Sequence, residues 1–338
     1  MKARLIDIAQ EAHVSEATVS RVLAGKGGIS AGTQERVLRA ARRLGRYSDA
    51  AMGAVPLVGV VVPAHDNPIF PAFIDAITSE LTTAGADALV GTGARSSEDE
   101  ARLCDRLVQA GAEGLIVISG MHADSVQSHD HYRDLAARGV RLALVNGEVD
   151  RLDAAFITAD DAFAVRLAVE HLVDLGHQRI GLAVGDEHTW PVRQKVSGFE
   201  ALAAELNGQG GAEGPVLTAA FTDFSFAGGF QAAGELIAAG CTGIVCGSDV
   251  MALGAVDAAH DQGLRVPEDV SVVGYDDVPM ARIVSPSLTT VRQPVPSMAR
   301  AAVRHALGTE HPSRRRSRSK FTVRPELVAR SSTGAISR

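Results

Sequence analysis

From residue 57 onward, short apolar runs alternate with amphipathic stretches of helical length, and this alternation most constrains the fold. Residues 57–62 form a run of valine, leucine and glycine that is typical of a strand buried on both faces. Strands are predicted at 57–62, 88–90, 115–118, 142–145, 180–183, 243–246 and 271–275, and helices at 70–84, 162–175, 192–206, 229–239 and 250–262. This pattern predicts open, doubly wound α/β sheets. Because the strands are too many for one small sheet, we expect two similar subdomains.

The first 48 residues have a different pattern, with three short helices and no strand. An apolar helical stretch over 5–12 is followed by a short break, and Ser15 is a good N-cap for a second helix. After a glycine-rich loop, Ser30 or Thr33 caps a third helix that ends near Leu44. Two short helices joined by a tight turn and packed on a third are the helix–turn–helix plan, although a generic three-helix bundle would have the same pattern.

Charge is distributed unevenly between this all-α headpiece and the remainder of the chain. Residues 1–47 contain nine basic and four acidic side chains, a net charge of +5, whereas the whole chain carries −7. A small basic module on an acidic body suits contact between the module and a polyanion such as double-stranded DNA. Chance clustering is the alternative explanation for the same counts.

If the second helix enters a DNA groove, its amino-terminal residues would contact base edges. Glu16 and Ala17 lie there and point away from the apolar face, and Arg21, one turn later, can reach a guanine or a phosphate. Short hydroxyl side chains suit contacts with backbone phosphates, and the candidates are Ser15, Thr18 and Ser20.

Other classes of protein are disfavoured. The three cysteines, Cys104, Cys241 and Cys246, have no CxxC spacing, which predicts buried thiols in a reducing compartment. The His-Asp-His at 129–131 lacks further spaced ligands, and no GxSxG or P-loop motif occurs, so we expect no metal, cofactor or enzymatic activity. No apolar run suggests a signal peptide or a membrane span, which predicts a cytoplasmic protein without membrane contact. The basic run at 314–320 is predicted to be a solvated loop, with a second nucleic-acid contact as the alternative.

The segment 6–47, centred on the second helix, resembles the headpiece of the LacI/GalR family of bacterial repressors. The resemblance covers essentially the whole chain, through recurrent strings at 67–70, 170–177, 248–255, 266–277 and 288–293. It implies sequence reading by Glu16, Ala17 and Arg21, and homodimers that bind a near-palindromic operator. It also implies a core similar to periplasmic sugar-binding proteins, with two lobes and three crossovers near 156–160, 284–288 and 321–324.

The resulting division has a headpiece, a linker and a two-lobed core. Its bounds are 1–48, 49–56 and 57–338, with an N-subdomain of about 57–157 and 288–320 and a C-subdomain of about 158–284 and 321–331. In the family, a hinge helix in the linker pushes a leucine into the minor groove. Here Val55 takes that position, Gly53 weakens a helix by about 1 kcal/mol relative to alanine, and Pro56 ends it. Minor-groove insertion by Val55 is therefore a hypothesis.

Candidate ligand residues follow the predicted strands, because ligands of doubly wound sheets lie beyond the carboxyl ends of strands. Sugars are held there by carboxylates, amides, cations and aromatic faces. The strand-end candidates are Asn67, Asn146, Ser248, Asp249 and Asp276, and the resemblance implies that Ile69, Phe70, Asn146, Lys195, Phe224, Ser248 and Asp276 line a sugar pocket. Asp276 is the strongest candidate. Asn67 could instead shape a turn, Asp249 and Asp160 could cap helices, and Asp277 could be structural.

Trp190 is the only tryptophan and precedes a helix that carries a ligand-binding arginine in the family. Lys195 takes the arginine position, so Arg193 could supply the forked hydrogen bonds and Trp190 a surface for ring stacking, unless Trp190 is simply packed in the core. Gly111 stands where some members have an effector-binding arginine, which favours a neutral sugar such as a disaccharide or an oligosaccharide. The strings at 67–71 and 130–132 resemble regulators of maltose or α-glucoside use.

The sequence thus predicts a repressor that binds its operator without sugar and releases it when sugar closes the core. The mechanism needs only an effector that prefers one of two states. An activator and a non-regulatory sugar-binding protein are the alternatives.

Overall fold

The structure, a computed structural model, describes residues 5–23, 29–43, 55–63, 67–208, 215–309 and 319–336. The chain divides into two compact units, Met1–Pro56 and Leu57–Arg338. Three sequence predictions lie outside the described residues: the glycine loop of the headpiece, the hinge over 49–54 and most of the basic run. Val55 is described, and its side chain is exposed.

The first unit consists of α1 (Leu5–Ala12), α2 (Glu16–Leu23) and α3 (Ala31–Arg43). The Ser15 hydroxyl accepts a hydrogen bond from the Thr18 amide at 3.2 Å, which is the predicted N-cap of α2. Ser30, and not Thr33, caps α3, because the Ser30 hydroxyl accepts from the Thr33 amide at 3.4 Å. One apolar cluster joins the three helices and contains Ile8, Ala9, Ala12, Val19, Val22, Val37, Ala40 and Ala41. Ile6 of α1 lies outside this cluster and is 41% exposed.

The second unit alternates strands and helices. In chain order its elements are β1 (Leu57–Pro63), α4 (Ile69–Thr83), β2 (Asp87–Ala94), α5 (Ser97–Gln109), β3 (Gly114–Ile118), α6 (Asp130–Ala137), β4 (Arg141–Val145), β5 (Ala155–Ala159), α7 (Asp161–Asp174), β6 (Arg179–Val184), α8 (Trp190–Gly208), β7 (Val216–Phe221), α9 (Phe226–Ala238), β8 (Gly243–Cys246), α10 (Asp249–Asp261), β9 (Ser271–Asp276), β10 (Thr289–Arg292), α11 (Val295–Ala306), β11 (Ser319–Val323) and β12 (Glu326–Val328). Two short 3₁₀ helices lie in the loops after β3 and β9, at Met121–Ala123 and Pro279–Arg282.

These elements form two lobes, each built on a six-stranded sheet. The N-lobe sheet has the order β11-β5-β4-β3-β1-β2 and is parallel throughout, whereas the C-lobe sheet has the order β12-β10-β9-β8-β6-β7 with only β12 antiparallel. Helices cover both faces of each sheet: α4 and α11 lie opposite α5 and α6, and α9 and α10 lie opposite α7 and α8. The prediction of two doubly wound subdomains is therefore confirmed.

The chain crosses between the lobes three times, but the second crossing was predicted too early. Thr289–Arg292 pairs with the C-lobe strand β9, so the crossing follows Arg292 and does not lie near 284–288. The Thr290 hydroxyl donates to buried Asp249 of the same lobe, a contact between residues distant in sequence. The third crossing follows Val323, the last residue of β11, which lies within the predicted range of 321–324. The residues of β10, two threonines, a valine and an arginine, would suit either sheet. Only the hydrogen-bond partners of the strand identify the lobe to which it belongs.

The three cysteines, Cys104, Cys241 and Cys246, are all buried free thiols, as predicted. Within the described part of the chain, no helix is long and apolar enough to cross a membrane.

Helices α9 and α10 approach closely enough that two glycines are needed between them. A Cβ atom on Gly254 would lie 2.1 Å from the Phe226 carbonyl oxygen, and one on Gly229 would lie 2.1 Å from the Met251 carbonyl oxygen. Both partners are backbone atoms, so a side chain cannot simply move away. The small residues therefore set the distance between these two helices.

We expect Gly254→Ala to lower the free energy of unfolding by about 1–3 kcal/mol, because the added methyl group forces the two helices apart. Gly234→Ala, on α9, is the matched control: its Cβ would meet only the Gln262 side-chain amide at 3.8 Å. That variant should be stabilised by about 0.5–1 kcal/mol through helix propensity alone. Urea unfolding measures both values. A Gly254→Ala variant as stable as Gly234→Ala would show that the helices separate without cost.

Candidate functional site

A cavity of about 370 Å³ lies between the two lobes, at the carboxyl ends of their strands. This volume falls within the range of about 300–1,000 Å³ that is typical of small-molecule sites. The lining combines carboxylates, amides, cations and apolar surfaces, and includes Asp124, Asp276, Asn67, Asn146, Gln293, Arg95, Lys195, Ile69, Phe70 and Phe224. Such a mixture of hydrogen-bonding groups and aromatic faces suits a small polyhydroxylated ligand.

Asp276, at the end of β9, is the centre of the polar wall. One carboxylate oxygen accepts from the Asn67 amide at 2.9 Å, across the lobe boundary, and the other accepts from the Gln293 amide at 2.6 Å. The side chain is buried, with only 5% exposed. Burial raises the pKa of Asp276 to about 7, although the bonds from Asn67 and Gln293 and the charge of Lys195 oppose the rise. Asp276 therefore changes its charge near neutral pH.

Three residues that line the cavity have backbone conformations in the left-handed region. Ser119 after β3 has φ 45°, Asn146 after β4 has φ 65°, and Asp276 has φ 118°. Only a few per cent of non-glycine residues have positive φ, and such strain concentrates at functional sites. The Asn146 amide donates to the Ser119 hydroxyl at 3.1 Å, so the two strand ends present a joined polar surface.

Lys195 is held within the wall by groups of its own lobe. Its ammonium group forms a buried ion pair with Asp161, and lies 3.9 Å from the centre of the Tyr275 ring. The Tyr275 hydroxyl donates to the same Asp161 carboxylate at 2.9 Å. Because Asp161 compensates the charge of Lys195, the lysine does not leave an uncompensated buried charge. It contributes a hydrogen-bond donor to the cavity wall and helps to shape that wall.

Gln293 has a buried polar atom that the protein leaves without a partner. Its amide nitrogen donates to Asp276, but its Oε1 atom has no hydrogen-bond partner among the described residues. An unsatisfied buried acceptor costs about 1–3 kcal/mol. Gln293 therefore carries an unsatisfied acceptor in the wall of the cavity.

The cavity gathers eight of the eleven side chains predicted to bind effector. They are Asn67, Ile69, Phe70, Asn146, Lys195, Phe224, Ser248 and Asp276. Trp190 and Arg193 do not line it. They lie beyond Thr189, in a neighbouring cavity, because α8 begins at Trp190 and turns both side chains away from the first cavity. Their placement in one pocket with Asp276 was wrong.

Asp249, a predicted strand-end ligand residue, does not line the cavity. It is fully buried, and its carboxylate accepts from the Thr290 hydroxyl at 2.6 Å and the Val278 amide at 2.8 Å. The N-cap of α10 is its neighbour Ser248, whose hydroxyl accepts from the Met251 amide. Asp249 therefore ties α10 to β10 and to the loop after β9.

Two further aspartates have structural roles that the sequence analysis had left open. Asp160 caps α7 by accepting from the Phe163 amide at 3.1 Å. The Asp277 side chain is buried and binds the guanidinium groups of Arg292, at 2.7 Å, and Arg330. Despite burial, these two arginines hold the pKa of Asp277 below its usual value. Asp277 thus fastens the carboxyl-terminal segment to the C-lobe.

Sequence reasoning missed several cavity residues, among them Arg95, Ser119, Asp124 and Gln293. Ser119 follows β3 in the same way that Asn146 follows β4, so the strand-end rule could have found it. Arg95 was missed because β2 was predicted to be too short. Gly111, used to argue against an effector-binding cation, precedes β3 at the opposite end of the sheet, whereas Arg95 supplies a cation to the cavity. The inference of a neutral ligand from Gly111 therefore does not hold.

A buried polar network supports the loop that forms the N-lobe wall. One Glu100 carboxylate oxygen accepts from the Met121 amide at 3.0 Å, and the other accepts from the Tyr132 hydroxyl and lies 3.2 Å from a ring nitrogen of His131. Burial opposes ionisation, but hydrogen bonds with His131 and Tyr132 keep the pKa of Glu100 below its usual value. His122 is also enclosed, and burial lowers its pKa to about 4. Among the described residues, no such cluster has the arrangement of a metal site.

We expect Glu100→Gln to lower the free energy of unfolding by about 1–3 kcal/mol, because the new amide group faces donors that it cannot satisfy. Asp105→Asn is the matched control on the same helix, since Asp105 is an exposed carboxylate that pairs with Arg138 at the surface. That change should cost less than about 1 kcal/mol. Thermal or urea unfolding distinguishes them, and equal stability of the two variants would exclude a supporting role for Glu100.

The headpiece presents a polar surface along α2. Glu16, Ala17, Ser20 and Arg21 are exposed, and Thr18 is half-buried, whereas Val19 and Val22 face the core. Ser15 lies at the start of this surface, with its hydroxyl 2.8 Å from that of Thr18. The predicted contact residues therefore share one accessible face of the second helix.

Comparisons with known proteins place both units in one family. Residues 4–47 match the model for bacterial regulatory proteins of the lacI family, and residues 169–333 match the model for a periplasmic binding protein-like domain. The chain is 46% identical over 334 residues to an uncharacterized HTH-type transcriptional regulator in the aml 5′ region of Streptomyces limosus, which covers 98% of this chain and 94% of that protein. The chain belongs to the LacI family. It is also 44% identical over 341 residues to the HTH-type transcriptional regulator MalR of Streptomyces coelicolor, covering 99% of this chain and 98% of MalR.

Solved structures of this family share the fold over nearly the whole chain. The lac repressor dimer bound to operator and the anti-inducer ONPF is 27% identical, with a TM-score of 0.75 over 99% of this chain and 100% of that chain. The transcriptional regulator CelR in complex with cellobiose is 26% identical, with a TM-score of 0.69 over 98% of this chain and 99% of that chain. The predicted family and fold class of this LacI-family regulator are thus confirmed.

Proposed function

We propose that this LacI-family transcriptional regulator is a repressor whose affinity for operator DNA is controlled by a small sugar bound between the two core lobes. The cavity at Asp276 is the observation that carries the proposal. Asp276, Asn67 and Gln293 bring together acceptors and donors for hydroxyl groups, and Phe70 and Phe224 add apolar ring surfaces. Sugar-binding sites use this combination.

Sugar binding can control DNA affinity because the cavity is shared between two lobes. Asn67 belongs to the N-lobe and Asp276 to the C-lobe, so a sugar that contacts both would favour one lobe arrangement. An effector shifts an equilibrium only by its difference in affinity for the two states. We infer that the sugar acts as an inducer, which disfavours the operator-bound state.

The proposed DNA contacts lie on the exposed face of α2. Glu16 and Ala17 would face base edges, Arg21 a guanine or phosphate, and Ser15, Thr18 and Ser20 the phosphate backbone. Insertion of Val55 into the minor groove remains part of the proposal. Operator binding would place the protein with the DNA in the cytoplasm.

We infer that the acting species is a homodimer, as in the solved lac repressor dimer. Two headpieces related by a two-fold axis would match a near-palindromic operator. Exposed apolar side chains on the C-lobe, Ile283 and Met280, offer surface for such a contact. Activation of transcription and sugar binding without regulation are the alternative functions.

The experiment that tests the DNA-binding part measures binding of the full chain to DNA fragments that surround its own gene. We expect one fragment to bind at least about 1,000-fold more tightly than random DNA at a fixed salt concentration, the lower range for specific regulators. Equal affinity for all fragments would favour the non-regulatory sugar-binding protein.

The raised pKa of Asp276 predicts a pH dependence of sugar binding. A sugar hydroxyl can donate to the carboxylate but not to its protonated oxygen, and the proton is lost as pH rises through about 7. Affinity should therefore increase about tenfold between pH 6 and pH 8. Lys195 and Asp161 also face this carboxylate but act in opposite directions. Calorimetry with a sugar at several pH values checks the slope, which should disappear in Asp276→Asn; a flat wild-type profile would contradict the assignment.

A further inference from the structure

A second cavity of about 250 Å³ lies beside the first and is also formed by both lobes. Trp190 and Arg193 come from α8 of the C-lobe, whereas His129, Arg133 and Glu148 belong to the N-lobe. The volume suits one small ring. This is where the structure places the two residues that the sequence had assigned to the main pocket.

Two short segments, 124–125 of the N-lobe and 188–189 of the C-lobe, separate the cavities, and we call this pair the strap. Asp124 and Thr189 form an isolated antiparallel bridge, and the Ser125 amide and hydroxyl both donate to the His188 carbonyl at 3.0 Å. Asp124 and Thr189 line the first cavity, and Ser125 lines the second. A ligand on either side of the strap therefore contacts segments that join the lobes.

The second cavity has the chemistry of a carbohydrate site. The Trp190 ring is half-buried, and the Arg193 guanidinium lies 5.7 Å from its centre. Arg193 forms no ion pair with any residue that the structure describes, whereas Arg133 pairs with Asp130 and Glu148 with Lys320. The guanidinium lies over the indole ring, and an aromatic ring together with a planar hydrogen-bond donor fits a pyranose ring, whose C–H surface stacks while its hydroxyl groups accept and donate.

We propose that the second cavity is a glycosyl-binding subsite that holds one pyranose ring against Trp190, with Arg193 as its principal hydrogen-bond donor. This inference rests on the proposed sugar-controlled function and names a second place where sugar acts. A ring held there contacts Arg133 of one lobe and Arg193 of the other, so it stabilises the joined arrangement of the lobes in addition to the sugar at Asp276. The ring comes either from the outer unit of a longer oligosaccharide or from a separate monosaccharide.

The single tryptophan makes the subsite directly observable. Because Trp190 is the only tryptophan in the chain, all tryptophan fluorescence comes from a side chain that lines this cavity. The wild-type full chain is titrated with glucose, maltose, maltotriose, maltotetraose, cellobiose and lactose, and calorimetry gives the affinity and stoichiometry for each. The variants are Arg193→Ala, Trp190→Ala and Trp190→Phe, with Arg102→Ala as a control, since Arg102 is an exposed arginine that pairs with Glu98 and Asp99 on α5.

Two results support the proposal and distinguish the sources of the ring. If the outer unit of an oligosaccharide binds, maltotriose or maltotetraose binds at least about tenfold more tightly than maltose, and Arg193→Ala and Trp190→Ala abolish this gain. If a monosaccharide binds, glucose adds a second stoichiometric site to maltose-saturated protein, changes the Trp190 emission and loses that site in Arg193→Ala. In both cases Trp190→Phe retains part of the effect, and maltose affinity stays within about twofold of wild type in every variant.

Two other results would contradict the subsite, and they differ in whether the proposed function fails with it. If a disaccharide binds and releases DNA, but no length-dependent gain or second site responds to Arg193→Ala, the subsite is excluded while the proposed function stands. If none of the six sugars binds the wild-type chain, the proposed function and the subsite both fail.

Discussion

Replacement of Asp276 by asparagine is expected to weaken sugar binding about 100-fold or more and to abolish sugar-dependent release of DNA. The carboxylate accepts from Asn67 and Gln293, and the asparagine amide would oppose one of these donors with another donor. It would also lose the negative charge that accepts from sugar hydroxyls. Hydrogen bonds to charged groups contribute about 1.5–3 kcal/mol each, and two such losses account for the expected factor.

DNA affinity in the absence of sugar should stay within about twofold of wild type in this variant, since Asp276 lies in the core unit. Asp261→Asn is the matched control, because Asp261 is an exposed carboxylate of the same lobe, at the end of α10. Calorimetry with sugar and a gel-shift titration measure the two properties separately. A variant that binds sugar and releases DNA like wild type would remove Asp276 from the site.

Replacement of Arg21 by alanine should weaken operator binding by about 1–3 kcal/mol, or roughly 5- to 150-fold, and should relax specificity at one base pair. Arg21 lies on the exposed face of α2, one turn after Glu16 and Ala17. An arginine that pairs with a guanine loses discrimination when truncated. An arginine that contacts only phosphate loses affinity for all sequences equally.

Arg36→Ala is the control for Arg21, since Arg36 is an exposed arginine on α3 whose guanidinium lies 3.4 Å from the Thr33 hydroxyl. Affinities of both variants are compared for the operator, for single-base variants of it and for random DNA at one salt concentration. A uniform loss across all DNA in Arg21→Ala would assign Arg21 to the backbone and leave Glu16 and Ala17 as the only proposed base readers.

Local patterns were sufficient to predict most of the fold and much of the cavity. The β-branched runs identified the strands, and the strand-end rule led directly to Asn146 and Asp276, because parallel strands bring their carboxyl ends to one edge. Ser15 could be recognised as an N-cap from its position alone. These features depend on residues close together in the chain.

The errors arose where contacts distant in sequence decide the outcome. Asp249 has the appearance of a ligand until Thr290 and Val278 are brought against its carboxylate. The second crossover was misplaced because β10 is assigned by its pairing with β9. Trp190 lies only five residues before Lys195, yet the two side chains line different cavities. The lobes must first come together before the second cavity exists, so the sequence alone does not show it.

The central claim is that sugar in the cavity at Asp276 controls the DNA affinity of the headpiece. Its most direct test measures the operator dissociation constant of the full chain with and without a saturating sugar, at one salt concentration, for wild type and Asp276→Asn. We expect sugar to weaken wild-type operator binding about 5- to 150-fold, the usual range of allosteric coupling, and to leave the operator affinity of Asp276→Asn unchanged. A wild-type operator affinity that the same bound sugar does not alter would contradict the claim.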